Sequence, residues 1–393
     1  MIHPKHLEAA HALRGRDIVC FSNDWDGDPL SKTHIMKILA RDNRVLWVNS
    51  VANRRPTASA SDLQRIVKKL GDVAKGITEP VPNLHVLGPL AIPSFGPAAR
   101  ALNRVIFRQQ ILHAMRKLRF RIPISWSFLP ASAPVSGTLG EELVVYHAVD
   151  EFSLFTGTPA EIKQMEEELA RRAEVLIVSA DKLATSKRAW NENLHVVRHG
   201  VDHGHFAKAL DPRTVVPAEL AALPEPVIGF FGLVADWVDL ELIRAVADAF
   251  PEGSVAILGK VTTPLDALQG AHNVHLFGRR PYEELPAWCK GFDVALMPFV
   301  ENELAANSNP LKVREYLAAG LPVVSTPVPE VERLGLCRIA SGPDAFVGAV
   351  REALREPGPS KARSAAIAHE SWEAKVDEIR MAIAATYARR GQR

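Results

Sequence analysis

Twice along this 393-residue chain, short apolar runs alternate with stretches of helical spacing, and a proline-rich segment separates the two series. That alternation leaves few folds open. The first series begins with DIVCFS (17–22), passes through the turn cluster NDWDGDPLS, and continues as a helix-like stretch with Ile35, Ile38 and Leu39 on one side. RVLWVNS (44–50) is the next apolar run. Such β-α-β units build parallel sheets with helices on both faces, because a parallel return needs a long crossover. NLHVLGP (83–89), ISWSF (124–128), ELVVYHAVD (142–150) and EVLIVSA (174–180) continue the pattern, and HVVRHGVD (195–202) closes it. Residues 203–226 carry Pro212, Pro217, Pro224 and Pro226 and read as a linker. The second series runs through PVIGFFG (226–232), a helix LELIRAVADAF, SVAILG (254–259), NVHLFGR (273–279), a short helix YEELPAWCKG, DVALMPF (293–299) and PVVST (322–326). The expected fold class is α/β, with two doubly wound domains. The last helix, SWEAKVDEIRMAIAATYARR, sets Trp372, Val376, Ile379 and Ile383 near one face, which suits packing against a domain.

Composition narrows the function classes. Hydrophobic content of 47% with 23% charged residues excludes a disordered chain. Residues 1–200 hold 27 Lys and Arg against 20 Asp and Glu, and the remainder holds 20 against 25. The basic half should face something anionic, such as phosphate, membrane or nucleic acid. Cys20, Cys289 and Cys337 are odd in number and form no CxxC pair, which fits a reducing compartment and excludes a cysteine zinc site. The N-terminus lacks the apolar centre of a signal peptide, and no apolar run approaches the roughly 20 residues that span a bilayer. The expected location is the cytoplasm.

The densest chemistry lies in NSNPLKVREYLAAGLPVVST (307–326). Functional loops of a parallel sheet gather at the carboxyl ends of its strands. After DVALMPF the segment ENELAANSN reads as a loop, and a helix is expected to begin at Pro310 with Asn309 as its N-cap. A helix N-terminus offers unpaired N–H groups and a positive dipole end. Lys312, in the first turn, adds a full charge, so the three features together make a diphosphate cradle. Glu315 lies three residues on, near the same face, and a carboxylate there could accept hydrogen bonds from the two hydroxyls of a ribose. Gly320 ends the helix. The same spacing also fits a solvated face with a weak ion pair among Lys312, Arg314 and Glu315.

The segment NSNPLKVREYLAAGLPVVSTPVPEV resembles the donor-nucleotide motif of GT-B glycosyltransferases, N-P-x-K-x-x-E-Y-L-A-x-G-x-P-V-V. Four further segments resemble that family in the right order: VVRHGVDHGHF (196–206), IGFFGLVADWVDLELI (228–243), VHLFGRRPYEELPAWCKGFDVALMPF (274–299) and HESWEAKV (369–376). The resemblance implies two Rossmann-like domains facing each other across a cleft, with a C-terminal helix crossing back to the first. The implied boundaries are 1–205 for the acceptor domain, 206–368 for the nucleotide-sugar domain and 369–393 for the crossing helix. By motif match Glu315 would hold the ribose. Lys312 and the Asn309–Pro310–Leu311 turn would hold the diphosphate, Gly232 would let a loop approach the phosphates, and Arg279 would stand on the nucleotide side or serve as plain surface charge. Retaining members carry a second glutamate eight positions before Glu315. Here that position is Asn307, so the E-x7-E pair is incomplete. That draws attention to a branch with a separate catalytic carboxylate.

ELVVYHAVDEFSLF (142–155) resembles the Y-x-x-x-D-x-F element of bacterial exopolysaccharide and cell-wall transferases, including the glucuronosyltransferase of xanthan synthesis. In that branch the Asp150 position is the general base, which a weakly nucleophilic acceptor hydroxyl requires. An N-cap role for Asp150 is the alternative. His147 reads as structural. In SNDWDGDPLSKTH (22–34), Gly27 permits a tight turn, and Asp26 or His34 could contact the acceptor. Its three alternating aspartates lack the glycine and the terminal glutamate of a calcium loop, so no metal site is expected. The family implies no cofactor beyond its donor, and no essential metal.

RALNRVIFRQQILHAMRKLRFRIPI (100–124) has seven basic residues and no acid, and apolar residues interleave with them. Residues 100–121 fit a peripheral site for anionic membrane at the inner face of the plasma membrane, extended by RRP (54–56) and RIVKKL (65–70). A core helix with a basic edge fits them too. No nucleic-acid module is visible. The expected function is transfer of a hexose or hexuronic acid from a nucleoside-diphosphate sugar, UDP-linked by family expectation, to a glycan or lipid-linked acceptor. A nucleotide-sugar epimerase on the same fold and a catalytically silent glycan- or lipid-binding partner remain open beside it.

Overall fold

The computed structural model of the protein describes residues 13–50, 71, 76–90 and 97–391. The basic stretches at 54–56 and 65–70 lie outside the described residues. The chain forms two compact units, Met1–Arg198 with Lys375–Arg393 and His199–Ala374.

The first unit is built on eight strands: β1 (Asp17–Phe21), β2 (Arg44–Val48), β3 (Ile77–Val81), β4 (Leu84–Leu87), β5 (Ile124–Ser127), β6 (Leu143–Ala148), β7 (Val175–Val178) and β8 (Leu194–Val196). Their order is β3-β4-β2-β1-β5-β6-β7-β8. All pairs are parallel except β3 with β4. Strands β1, β5, β6 and β7 are buried along their whole length, as expected of a parallel sheet covered on both faces. In this unit the unforeseen strand is β3, whose sequence ITEPV lacks an apolar run. Its proline is tolerated because the strand lies at the sheet edge.

The second unit holds β9 (Val227–Phe231), β10 (Ser254–Leu258), β11 (Val274–Gly278), β12 (Val294–Met297), β13 (Val323–Ser325) and β14 (Arg338–Ile339). Their order is β11-β10-β9-β12-β13-β14, all parallel. The expectation of an α/β chain with two doubly wound sheets holds, but the strand expected over 195–202 ends at Val196, and β14 extends the second sheet beyond PVVST, where no strand is expected.

Three local expectations fail. Residues 203–226 are not an extended linker. They contain helices His203–Phe206 and Ala218–Ala221 and the 3₁₀ turn Ala207–Leu210, because Phe206, Ala209 and Leu220 are buried in the second unit's core. The segment before the donor motif is not a plain loop: Glu303–Asn307 is a helix whose N-cap, Asn302, accepts a bond from the Ala305 N–H. The helix of the motif runs Leu311–Ala318, with Pro310 at the N-cap position and no side-chain cap.

Each sheet reverses its winding direction between two neighbouring strands, β1 and β5 in the first unit and β9 and β12 in the second. Ligands of open α/β sheets bind outside the carboxyl ends of strands at such switch points. Asp150 follows β6 in the first unit. Gly232 follows β9, and the Leu311–Ala318 helix comes after β12, in the second.

Candidate active site

In the second unit the Leu311–Ala318 helix is fastened to the end of β9 by one side chain. The Tyr316 hydroxyl accepts a bond from the Phe231 N–H at 2.7 Å and donates to the Phe231 carbonyl at 3.3 Å. Val313, Tyr316 and Leu317 are buried in the core, which leaves Lys312 and Glu315 half-exposed on the other side. The Lys312 ammonium lies 4.4 Å from the Phe230 ring centre and 5.3 Å from that of Phe299. Gly232 adopts a φ of +132°, and a Cβ there would come within 2.5 Å of Lys312 Nζ. Glycine at 232 therefore meets two demands at once, the backbone angle and room for the amine. Gly320, at φ +84°, turns the chain after the helix, where a Cβ would strike the Ser360 backbone.

Burial pushes the Lys312 amine down to about 8, with Glu315 opposing the shift. Burial pushes the Glu315 carboxyl up to about 8, with Lys312 pulling it down and Asp202 adding to the rise. An amine and a carboxyl group, both with their charged forms disfavoured, are thus held partly out of water on one helix turn. That is the condition under which a charged, hydroxyl-bearing ligand gains most by binding.

Asn309 does not cap the helix. Its Oδ1 accepts a bond from Arg314 Nη1 at 2.6 Å, and its carbonyl lies 2.7 Å from His199 Nδ1. A guanidinium forms a stronger, charge-assisted bond than a backbone amide does, so the side chain turns to it. Arg314 is 1% exposed, which removes it from any solvated face, and its Nε lies 3.7 Å from Glu370. The turn before Lys312 is therefore pinned from two sides by residues that sequence reasoning passed over. Leu311 is half-buried at the start of the helix. Arg279 is exposed just beyond the end of β11. Asn307 is buried, with its amide on the Glu303 carbonyl at 2.8 Å, so no carboxylate stands at that position.

In the first unit Asp150 is half-buried two residues beyond β6. It caps no helix: the N-cap of the following 3₁₀ turn, Phe152–Leu154, is Glu151. Burial raises the Asp150 carboxyl, and Lys32 pulls it back down. Lys32 is the functional candidate that the sequence did not announce. It sits in the first turn of the Ser31–Leu39 helix, is 4% exposed, and donates to Asn23 Oδ1 at 2.6 Å. Glu151 turns into a separate buried cluster, with Lys187 Nζ 2.8 Å from Glu151 and 2.9 Å from Glu166, which accepts the Tyr146 hydroxyl bond at 2.7 Å. His147 is buried and stacked on Phe128 at 4.9 Å.

Asp26 and Gly27 are exposed in the turn after β1, and the Gly27 N–H donates to the Asp24 carbonyl at 3.3 Å. His34 is half-buried in the helix that follows. Among the described residues no group of three or more His, Cys, Asp or Glu is placed to hold a metal ion.

Residues 225–356 match the family model described as Glycosyl transferases group 1. A Bacillus subtilis (strain 168) protein named for a role as a glycosyltransferase in teichuronic acid biosynthesis, TuaH, is 28% identical over 183 residues. That match covers 44% of this chain and 45% of the relative, so just under half of each is spanned. Among solved structures, sucrose-phosphate synthase (tll1590) from Thermosynechococcus elongatus superposes with a TM-score of 0.64 at 14% identity, covering 96% of this chain and 98% of the other. Anabaena Alr3699/HepE in complex with UDP-glucose gives 0.62 at 14% identity, covering 95% and 99%. These likenesses establish the GT-B fold over nearly the whole chain.

Proposed function

We propose that this chain, a GT-B glycosyltransferase with its group 1 domain at 225–356, moves a hexose or hexuronic acid from a UDP-sugar to a glycan or lipid-linked acceptor in bacterial cell-envelope polysaccharide synthesis. The observation that carries the reading is Lys312 and Glu315, three residues apart on a helix at the switch point of the group 1 domain, with Gly232 leaving room for the amine. The ammonium suits the diphosphate and the carboxyl suits the ribose. The UDP-glucose complex of HepE supports a uridine donor, and the TuaH likeness supports an envelope polysaccharide as product. Asp150, on the first unit, is the base that takes the proton of the acceptor hydroxyl. Arg279 and the 309–311 turn serve the donor, and Asp26, Gly27 and His34 serve the acceptor. No step requires a metal ion.

Thermal melts of the protein with UDP, GDP, ADP and TDP, each with and without magnesium, test this. A ligand that binds only the native state raises stability by mass action. UDP alone is expected to raise Tm by several degrees, equally in both conditions. No shift with any nucleotide would reject the donor site, and a shift that needs magnesium would reject metal independence.

The enzyme works at an anionic membrane surface. Among the described residues no helix is long and apolar enough to cross a membrane. The Pro97–Lys117 helix buries Phe107, Ile111, Ala114 and Met115, but its first half leaves Leu102 48% and Val105 57% exposed beside Arg104. That pairing of apolar and basic groups suits shallow insertion among anionic headgroups. The protein is expected to sediment with anionic liposomes at low salt and to be released at high salt. Absence from the pellet at low salt would reject it.

A further inference from the structure

We propose that Arg314 is a positioning residue for the donor's diphosphate: by holding Asn309 it fixes the turn from which Lys312 and the first amides of the helix would meet the phosphates. The inference rests on the reading of that turn as the diphosphate site.

Arg314 does not meet the donor itself. It stands two residues from Lys312, roughly 200° around the helix, and is 1% exposed. Its contacts point inward. Nη1 donates to Asn309 Oδ1 at 2.6 Å, and Nε lies 3.7 Å from the Glu370 carboxylate. Asn309, 4% exposed, is held from a second direction, because the His199 ring N–H donates to its carbonyl at 2.7 Å. The contacts then close on themselves. Two residues past His199, the Val201 N–H donates to the Glu370 carbonyl at 2.8 Å. Gly200, between them, runs so near that a Cβ there would come within 2.9 Å of the Trp372 backbone nitrogen. Three stretches of the second unit, 199–201, 309–314 and 370–372, thus form one circuit, and Asn309 is where it meets the start of the helix.

The circuit decides two things at the phosphate end. Asn309 is spent on the guanidinium, and no side chain caps the first amides of the helix. Freed from Arg314, an asparagine beside a helix start would turn to those amides, since it is among the best capping residues. Pro310 adds the second effect. Its ring holds φ at −69°, so a shift in Asn309 passes on into Leu311 and Lys312 instead of being absorbed. A turn that must be fixed afresh at each binding event costs affinity for the group it touches, and that group is the diphosphate. The nucleoside, assigned to other residues, should not feel the change.

The test compares UDP with uridine, which has the base and ribose but no phosphate, using calorimetry for the first and ligand-observed NMR for the second. In Arg314→Met the UDP Kd is expected to rise about tenfold, the order of the cost of fixing one residue's backbone, while the uridine Kd stays within about twofold. Arg314→Lys keeps the charge but gives up the planar fork, and is expected to show the same split at a smaller size. The double variant Asn309→Ala/Arg314→Met is expected to bind UDP no more weakly than the weaker of the two single variants. An unmoved UDP Kd in folded Arg314→Met would overturn the inference. So would equal losses for UDP and uridine, which mean a general loosening, and so would losses that multiply in the double variant, which mean that Arg314 does not act through Asn309. Should Arg314→Met fail to fold, Arg314→Lys carries the test, and an unmoved ratio of the two Kd values there overturns the inference. Failure of the diphosphate reading looks different: the wild-type protein would then bind UDP no more tightly than uridine.

Discussion

Asp150→Asn is expected to lower kcat by roughly 10²–10⁴-fold while leaving KM for the donor near its wild-type value. An acceptor hydroxyl attacks an anomeric carbon poorly unless its proton is taken as the bond forms. Asparagine keeps the size and much of the hydrogen bonding of the carboxylate but cannot take a proton. The groups proposed to hold the donor belong to the other unit, on the Leu311–Ala318 helix, and the substitution does not change them. Turnover with saturating donor and acceptor, together with UDP binding measured separately, checks both halves. Turnover within a fewfold of wild type would remove Asp150 from the chemistry. Burial raises the Asp150 carboxyl, so the wild-type rate should fall on the acid side as that group takes up its proton.

Lys312→Ala is expected to weaken UDP binding by roughly 10- to 100-fold, the range set by one lost charge-assisted hydrogen bond to a phosphate. The apo protein should melt near the wild-type temperature, because the lost amine is poorly hydrated and its removal relieves that cost. The pH dependence has a definite sign. The folded-state value of about 8 lies below the ordinary lysine value of 10.5. Lys312 is therefore charged below about 8 and loses its charge above it while the chain stays folded. UDP affinity should fall as pH rises through that value, and the fall should be shallower in Lys312→Ala, where Glu315 alone still titrates. For fold stability the same shift works the other way, since burying the charged amine costs most below about 8 and the cost fades as pH rises toward 10.5. Titration calorimetry with UDP across that range separates the two effects. Equal UDP affinity in wild type and Lys312→Ala would reject the diphosphate role.

The strands were legible because a parallel sheet covered on both faces demands unbroken apolar runs, and β1, β6, β9 and β12 supply them. Lys312 and Glu315 were legible because their relation is local, three residues apart on one helix. Lys32, His199 and Arg314 were not. Each matters through a partner fixed by tertiary structure, and nothing in SKTH or VREY names that partner. Asn309 shows the same limit from the other side. Its sequence position predicts a cap, but Arg314, five residues on, makes the stronger bond. The 203–226 segment misled because its prolines stand out more than Phe206 and Leu220, the residues that bury it. Strand β3 went unseen because an edge strand with a proline has no apolar signature.

The eight residues of the Leu311–Ala318 helix have a consequence for how this protein can change over generations. Val313, Arg314, Tyr316, Leu317 and Ala318 are buried, Lys312 and Glu315 are the residues proposed to meet the donor, and Leu311 starts the helix half-buried. No residue of the eight is spare. A helix such as Leu240–Ala249, by contrast, has outward positions that can drift without penalty. Mutational tolerance should therefore collapse across this one segment, with the losses divided between those that unfold the unit and those that leave it folded and silent. The adaptable part of the protein must lie elsewhere, and a change of donor would have to come from the residues around this helix rather than from within it.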